Sequence, residues 1–246
     1  MALRVWVART PLPFRSAANP AEVVPVARGG GACQPLPIVG RRAILVTGAR
    51  GLVGSHLCEA FADAGWEVRA LDRPGAHRSP VPPQAAYTEA ELGSPEAALV
   101  TAELAKGTSI VAHAAFPGAG LDETALEMAR ASMAAALSAK ATLLLVSSAT
   151  VYGRPRNLPC EEGEPKRPVD AHGQTRWAVE REAYLWRRTR GLRLVVLRPA
   201  LTYGSGQRRG LAAALTVAAL AARSGRPLWV PRRGPVVGAA GPGHRR

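Results

Sequence analysis

The chain has 246 residues, 47% of them hydrophobic and 20% charged, with a formal net charge of +14. That length supports one sizeable domain with its own core, and no apolar run is long enough to cross a bilayer. Three scattered cysteines, Cys33, Cys58 and Cys160, exclude a disulfide framework and a Cys-based metal site, so a reducing, cytoplasmic setting and no metal are expected.

Residues 1–42 are rich in Pro, Gly and Arg and lack a sustained period, which predicts a disordered or leader segment. Order begins with "AILV" at 43–46, a short apolar run suited to a buried parallel strand. A glycine turn follows, then a helix over 52–64, ended by Gly65. "EVRALD", residues 67–72, is the second strand. After a Pro-rich loop, "AALVTAELA" (97–105) reads as helix and "SIVAHAAF" (109–116) as strand. Residues 121–141 form a long helix opened by acids at its positive end. "TLLLVSSATVYG" (142–153) is a strand with its exit loop, 171–189 the next helix and "LRLVVLRPA" (192–200) the next strand. The Ala-rich run 210–222 reads as a buried or surface helix, and 231–246 as an irregular basic tail. Strands alternating with helices predict an α/β fold, a doubly wound parallel sheet, over residues 43–230.

The basic charge sits at the ends. Residues 1–42 contribute +5 and 185–246 contribute +13, which leaves −4 for 43–184. Twenty-nine arginines stand beside three lysines, and no helix-turn-helix, zinc-finger or aromatic-basic pattern accompanies them. The expectation is no nucleic-acid partner and no membrane.

"TGARGLVG" places Gly48, Gly51 and Gly54 between a strand and a helix. Glycines there let the backbone turn sharply and approach a pyrophosphate, whose charge rests on the helix N-terminus formed by Leu52 and Val53. Such a triplet alone also serves structural turns, but here the second strand ends in Asp72, eighteen residues after Gly54. A carboxylate at that place accepts ribose hydroxyls and repels a 2′-phosphate, favouring NAD over NADP. Arg50 and Arg73 are nearby cations that soften the preference. The alternative is a structural turn with a surface Asp.

With "TGARGLVGSHL", "VAHAA", "VSSATVYG" and "LRPALTYG" in this order, residues 43–230 resemble the extended short-chain dehydrogenase/reductases, in their NAD-dependent epimerase/dehydratase branch. The resemblance implies a Rossmann-like fold, an NAD cofactor and a nucleotide-sugar or related alcohol/ketone substrate. It implies that Ala114 and Ala115 line the cofactor, that Ser148 hydrogen-bonds the substrate oxygen, and that Pro199 passes near the nicotinamide. Ser148 as a strand-end serine bonded to the backbone stays open beside this. The family's Tyr-x-x-x-Lys dyad falls on His172 and Arg176. Arg176 keeps the cation and can reach a ribose. His172 can act as acid or base near neutrality but is shorter than a phenol. A His-based dyad therefore stands beside a relic helix N-terminus with a solvated histidine. Tyr152 and Tyr203 belong to other motifs and do not replace the phenol. The family also continues further than "PLWVP", so the substrate-binding region is expected to be largely missing. Three readings follow: an active oxidoreductase, epimerase or dehydratase; a non-catalytic NAD-binding protein; or a decayed fragment. The family often pairs through its two long helices, which implies a homodimer face on Leu126, Met133 and Leu137 with Trp177, Ala178, Tyr184 and Leu185.

Overall fold

The computed structural model describes residues 42–75, 80–117, 123–156 and 159–202. Six strands, β1 Ala43–Thr47, β2 Glu67–Asp72, β3 Ala86–Glu89, β4 Ile110–His113, β5 Thr142–Val146 and β6 Arg193–Leu197, form one all-parallel sheet in the order β3-β2-β1-β4-β5-β6. Four helices connect them: α1 Leu52–Asp63, α2 Pro95–Ala105, α3 Glu123–Ser138 and α4 Ala171–Arg190. The expected doubly wound sheet is present, and the chain reverses its direction of growth between β1 and β4. In such sheets a crevice opens at this reversal, beyond the C-terminal strand ends.

Both faces of the sheet are covered, which is why β1 is buried at all five positions and reads as an unbroken apolar run. On one face Ile44, Val46, Val68 and Ala70 pack against Cys58, with Leu57 and Phe61 of α1 beside them. On the other, Leu45, Leu71, Val111, Leu143 and Leu145 meet α2, α3 and α4 through Ala105, Met133, Ala136 and Ala183. The small alanines of α3 let that helix lie close to its neighbours.

Local chemistry sets the helix ends. Ser94 Oγ caps α2 by accepting from Ala97 N at 3.1 Å, with Pro95 in the first turn. Asp170 Oδ1 caps α4 by accepting from Gly173 N at 2.7 Å, and Gly191 ends that helix in the left-handed conformation.

Three sequence expectations change. A strand in the Pro-rich stretch, β3, was not expected; it is four residues long, half-exposed and at the sheet edge, so it carries no buried apolar run. The strand expected over 109–116 ends at His113, because Ala114 turns away after its N–H bonds Thr47 O at 3.1 Å. The proposed dimer face is partly core: Met133 has no exposure, and the Tyr184 hydroxyl accepts from Arg198, while Leu185 remains 44% exposed. Among the described residues no helix is long and apolar enough to cross a membrane. The 210–222 run, Tyr203, the 1–41 segment and the 231–246 tail lie outside the described residues.

Candidate functional site

A cleft of about 1070 Å³ runs across the C-terminal strand ends at the reversal point. At one end lie Gly48, Gly51, Leu52, Val53, Asp72 and Arg73; Ala114 and Ala115 line its middle; Ser148, His172, Arg176 and Pro199 lie at the other end. Twelve residues singled out from the sequence therefore meet in one crevice. Gly54 and Arg50 do not line it, and both support it from behind.

The glycine end is shaped by backbone contact. Gly48 has φ +69°, and a Cβ there would stand 2.5 Å from Ala115 N. A Cβ on Gly54 would stand 2.0 Å from Gly48 O. Both positions therefore exclude any side chain, whereas Gly51 meets only Gly48 O, at 3.1 Å. Gly51 begins α1 with no side-chain cap, and the first helical N–H bond among these residues is Ser55 N to Gly51 O at 2.9 Å. Leu52 and Val53 of the first turn line the cleft, at the positive end of the helix dipole. That arrangement fits a pyrophosphate.

Asp72 is held by the loop. Its Oδ2 accepts from Arg50 N at 2.7 Å and its Oδ1 from Arg73 N at 2.8 Å. Each carboxylate oxygen keeps lone-pair capacity for a ribose hydroxyl. The Arg50 guanidinium turns outward and lies 5.5 Å from the Tyr87 ring centroid.

The other end centres on Phe116, which the sequence reading passed over. Arg176 Cζ stacks 3.7 Å from its ring centroid, and His172 meets it edge-on at 5.0 Å. Arg176 Nη1 donates to Val146 O at 2.8 Å. His172 is thus partly buried and packed, not the solvated histidine that the sequence allowed. Burial, and then the Arg176 charge, push its pKa down, against a smaller opposing pull from Asp170. Burial alone lowers Arg176 to about 10, so it stays cationic at neutral pH. Ser148 Oγ accepts from Thr150 N at 3.2 Å and from Thr150 Oγ1 at 2.9 Å, leaving its own proton to donate into the cleft. Both sequence readings of Ser148, as a backbone-satisfying serine and as a donor to substrate, are compatible with this geometry. Tyr152 does not line the cleft; its hydroxyl accepts from Arg198 Nη1 at 2.8 Å.

Beneath the cleft floor, His113 is fully enclosed. Its Nδ1 lies 2.9 Å from Ser132 Oγ and 3.2 Å from Thr47 Oγ1, and burial with the Arg176 charge lowers its pKa to about 3. Glu91, Leu92, Thr124 and Met128 also line the cleft beyond Asp72. None of these has a local signal, since each reaches the site only through the tertiary fold.

The model of the NAD dependent epimerase/dehydratase family matches residues 44–234. The chain belongs to that family. It is 27% identical over 168 residues to a UDP-glucose 4-epimerase of Azospirillum brasilense, covering 63% of this chain and 47% of that one. It is 35% identical over 118 residues to a ceramide reductase of Caulobacter vibrioides, covering 44% and 35%. Among solved structures, the Thermus thermophilus UDP-glucose 4-epimerase complex with NAD matches with TM-score 0.62 at 24% identity, over 76% of this chain and 64% of that one. MoeE5 in complex with UDP-glucose and NAD matches with TM-score 0.53 at 29% identity, over 68% and 56%. The chain spans about half the length of the curated relatives it matches.

Proposed function

We propose that this chain binds NAD along the cleft and transfers hydride between the cofactor and an alcohol or ketone carbon of a nucleotide sugar or related substrate. The observation that carries the reading is that one continuous cleft joins an uncapped helix N-terminus and Asp72 to a proton-carrying group, His172. Gly48, Gly51, Leu52 and Val53 hold the pyrophosphate, supported by Gly54. Asp72 takes the adenosine ribose, with Arg50 and Arg73 beside it. Ala114 and Ala115 line the middle, and Pro199 and Arg176 flank the nicotinamide end. NAD, when bound, supplies the hydride acceptor. NADP is disfavoured by the Asp72 charge.

His172, held neutral by burial and Arg176, accepts the substrate hydroxyl proton in the oxidative direction and returns it in the reductive one. Ser148 donates its O–H to the same oxygen and orients it. Arg176 cannot serve as a base at neutral pH; it contributes positive charge to the developing oxyanion. The relatives named UDP-glucose 4-epimerase supply the nucleotide-sugar class.

A second reading, an NAD-binding protein without turnover, is favoured by one observation. Arg176 is already committed to Val146 O and Phe116, and His172 is wedged against the same ring.

The test is a titration with NADH and, in parallel, NADPH, read by fluorescence and melting temperature, followed by UDP-glucose and UDP-galactose turnover. Saturable NADH binding with turnover lost about 100-fold or more in His172→Ala supports the catalytic reading. Saturable binding without turnover selects the second reading. A cooperatively folded chain that binds no NADH removes both. Absence of a cooperative melt identifies a decayed fragment.

A further inference from the structure

The His172 end of the cleft holds a cation, Arg176, that forms no direct ion pair with a described carboxylate. Arg176 is cationic and largely enclosed, with one hydrogen bond to a carbonyl and a ring stacked on its face. Glu180, one turn further along α4, is taken by Arg198 through both of its oxygens. Asp170 lines the same end and its charge acts on His172, but its Oδ1 caps the first turn of α4 through Gly173 N and it makes no ion pair with Arg176. The other titratable groups facing Arg176 are His172 and His113, whose pKa values its charge lowers, so both are neutral near pH 7 and neither supplies an anion. The N-terminus of α4 adds further positive partial charge nearby.

Two buried polar atoms at this end have no partner among the described residues, Arg176 Nε and Ser147 Oγ. Ser147 is 3% exposed and lines the cleft beside Ser148. Buried polar groups are ordinarily satisfied, and a buried guanidinium without an anion is costly. The complement therefore has to come from a bound group. NAD carries its negative charge on the pyrophosphate, which the proposed reading places at the glycine loop, the opposite end. The nicotinamide ribose hydroxyls can accept from Arg176 but carry no charge, so the remaining source of an anion is the substrate.

We propose that Arg176 and Ser147 form an anion subsite for a carboxylate carried by the substrate next to the carbon that faces the cofactor. A single cation between two neutral imidazoles matches one negative charge, which fits a carboxylate better than a phosphate dianion. The planar guanidinium pairs with two coplanar oxygens, and Ser147 donates to one of them. This deepens the proposed function, on whose placement of NAD it rests, by narrowing the substrates to hydroxy or keto acids and their sugar counterparts, the uronates.

The test uses a probe pair of nearly equal shape, glycolate and its neutral amide glycolamide, titrated into the NADH-loaded chain in chloride-free buffer. The expected result is saturable glycolate binding that raises the melting temperature and exceeds glycolamide affinity by about tenfold or more, the effect of charge-assisted hydrogen bonds. Arg176→Met is expected to erase that difference and Arg176→Lys to keep part of it. Ser147→Ala, a small change at an unpartnered hydroxyl, is expected to weaken glycolate by about threefold. UDP-glucuronate is expected to bind more tightly than UDP-glucose. Failure of glycolate to saturate, equal binding of the two probes, tighter binding of inorganic phosphate, or a preference that survives Arg176→Met each overturn the subsite. If NADH does not bind but the cofactor-free chain still selects glycolate, the cofactor reading fails while the subsite stands.

Discussion

Arg198 donates to both carboxylate oxygens of Glu180, through Nε at 3.0 and 3.2 Å and Nη2 at 2.8 Å. Glu180 has no solvent exposure, and the remaining Arg198 donors go to the Tyr152 hydroxyl at 2.8 Å and the Tyr184 hydroxyl at 3.1 Å. The network ties the exit of β6 to the middle of α4 and to the 3-10 turn Ala149–Tyr152 that follows β5. Arg198→Met leaves Glu180 buried and unpaired, with an expected loss of about 3–5 kcal/mol of stability. The double variant Arg198→Met, Glu180→Leu is expected to recover most of it, because the penalty is the stranded charge. Urea unfolding of the two variants measures both quantities.

Two glycines separate backbone conformation from contact. Gly48 and Gly107 share a positive φ, +69° and +71°, but a Cβ on Gly107 meets nothing within 4 Å. Gly107→Ala is expected to cost about 1–2 kcal/mol from the left-handed backbone alone and to leave NADH binding intact. Gly48→Ala adds a collision with Ala115 N and is expected to cost more and abolish NADH binding. Equal melting temperatures and equal NADH affinities for the two variants would refute the role given to the loop.

Asp72→Asn removes the charge and one of the two acceptors, leaving a single oxygen for Arg50 N or Arg73 N. NADH affinity is expected to fall about tenfold, the scale of a charged hydrogen bond, while NADPH gains relative to NADH because its 2′-phosphate is no longer repelled. Parallel titrations of the two cofactors read the ratio, and an unchanged ratio counts against the ribose assignment.

The acid limb of stability should report His113. Its folded pKa of about 3 lies below the ordinary value of 6.5, through burial first and the Arg176 charge second. Above the ordinary value both states are neutral and nothing is gained or lost. Below it the unfolded chain takes up a proton that the folded chain refuses, so stability falls as pH drops from 6.5 toward 3. The slope from this one group is at most about 1.4 kcal/mol per pH unit. His172, also lowered, adds in the same direction. His113→Asn is expected to flatten the fall in melting temperature between neutral pH and pH 5. A parallel fall in both proteins would assign the acid limb elsewhere.

The glycine loop, Asp72 and most helix boundaries were legible because each signal is local: a spacing, a strand-ending carboxylate, a capping residue before an apolar period. β3 was not, because an exposed four-residue edge strand is pinned by its register with β2, Arg69 opposite Ala86, and not by its own pattern. Phe116 was silent for a different reason. It lies 56 and 60 residues before the two side chains it contacts, and only the crossover through α3 and β5 brings them together. The same distance hid His113, a histidine in an apolar run whose neutrality depends on burial and the Arg176 charge, with Ser132 and Thr47 beside its ring. The dyad positions could be counted from Ser148, but the packed state of His172 could not, since nothing in "DAHGQTR" indicates an aromatic wall.

The absence of a side-chain layer between Gly48 and Ala115 has a mechanical meaning. Backbone lies directly on backbone there, so this wall of the cleft cannot compress toward a ligand. Gly153, which also lines the cleft, is built alike: a Cβ there would stand 1.9 Å from Arg167 O, and behind the cleft one on Gly173 would stand 2.7 Å from Thr150 O. Neither contact has side-chain atoms that could yield, so the backbone at Gly48 and at Gly153 stays where the packing of the sheet and its loops sets it.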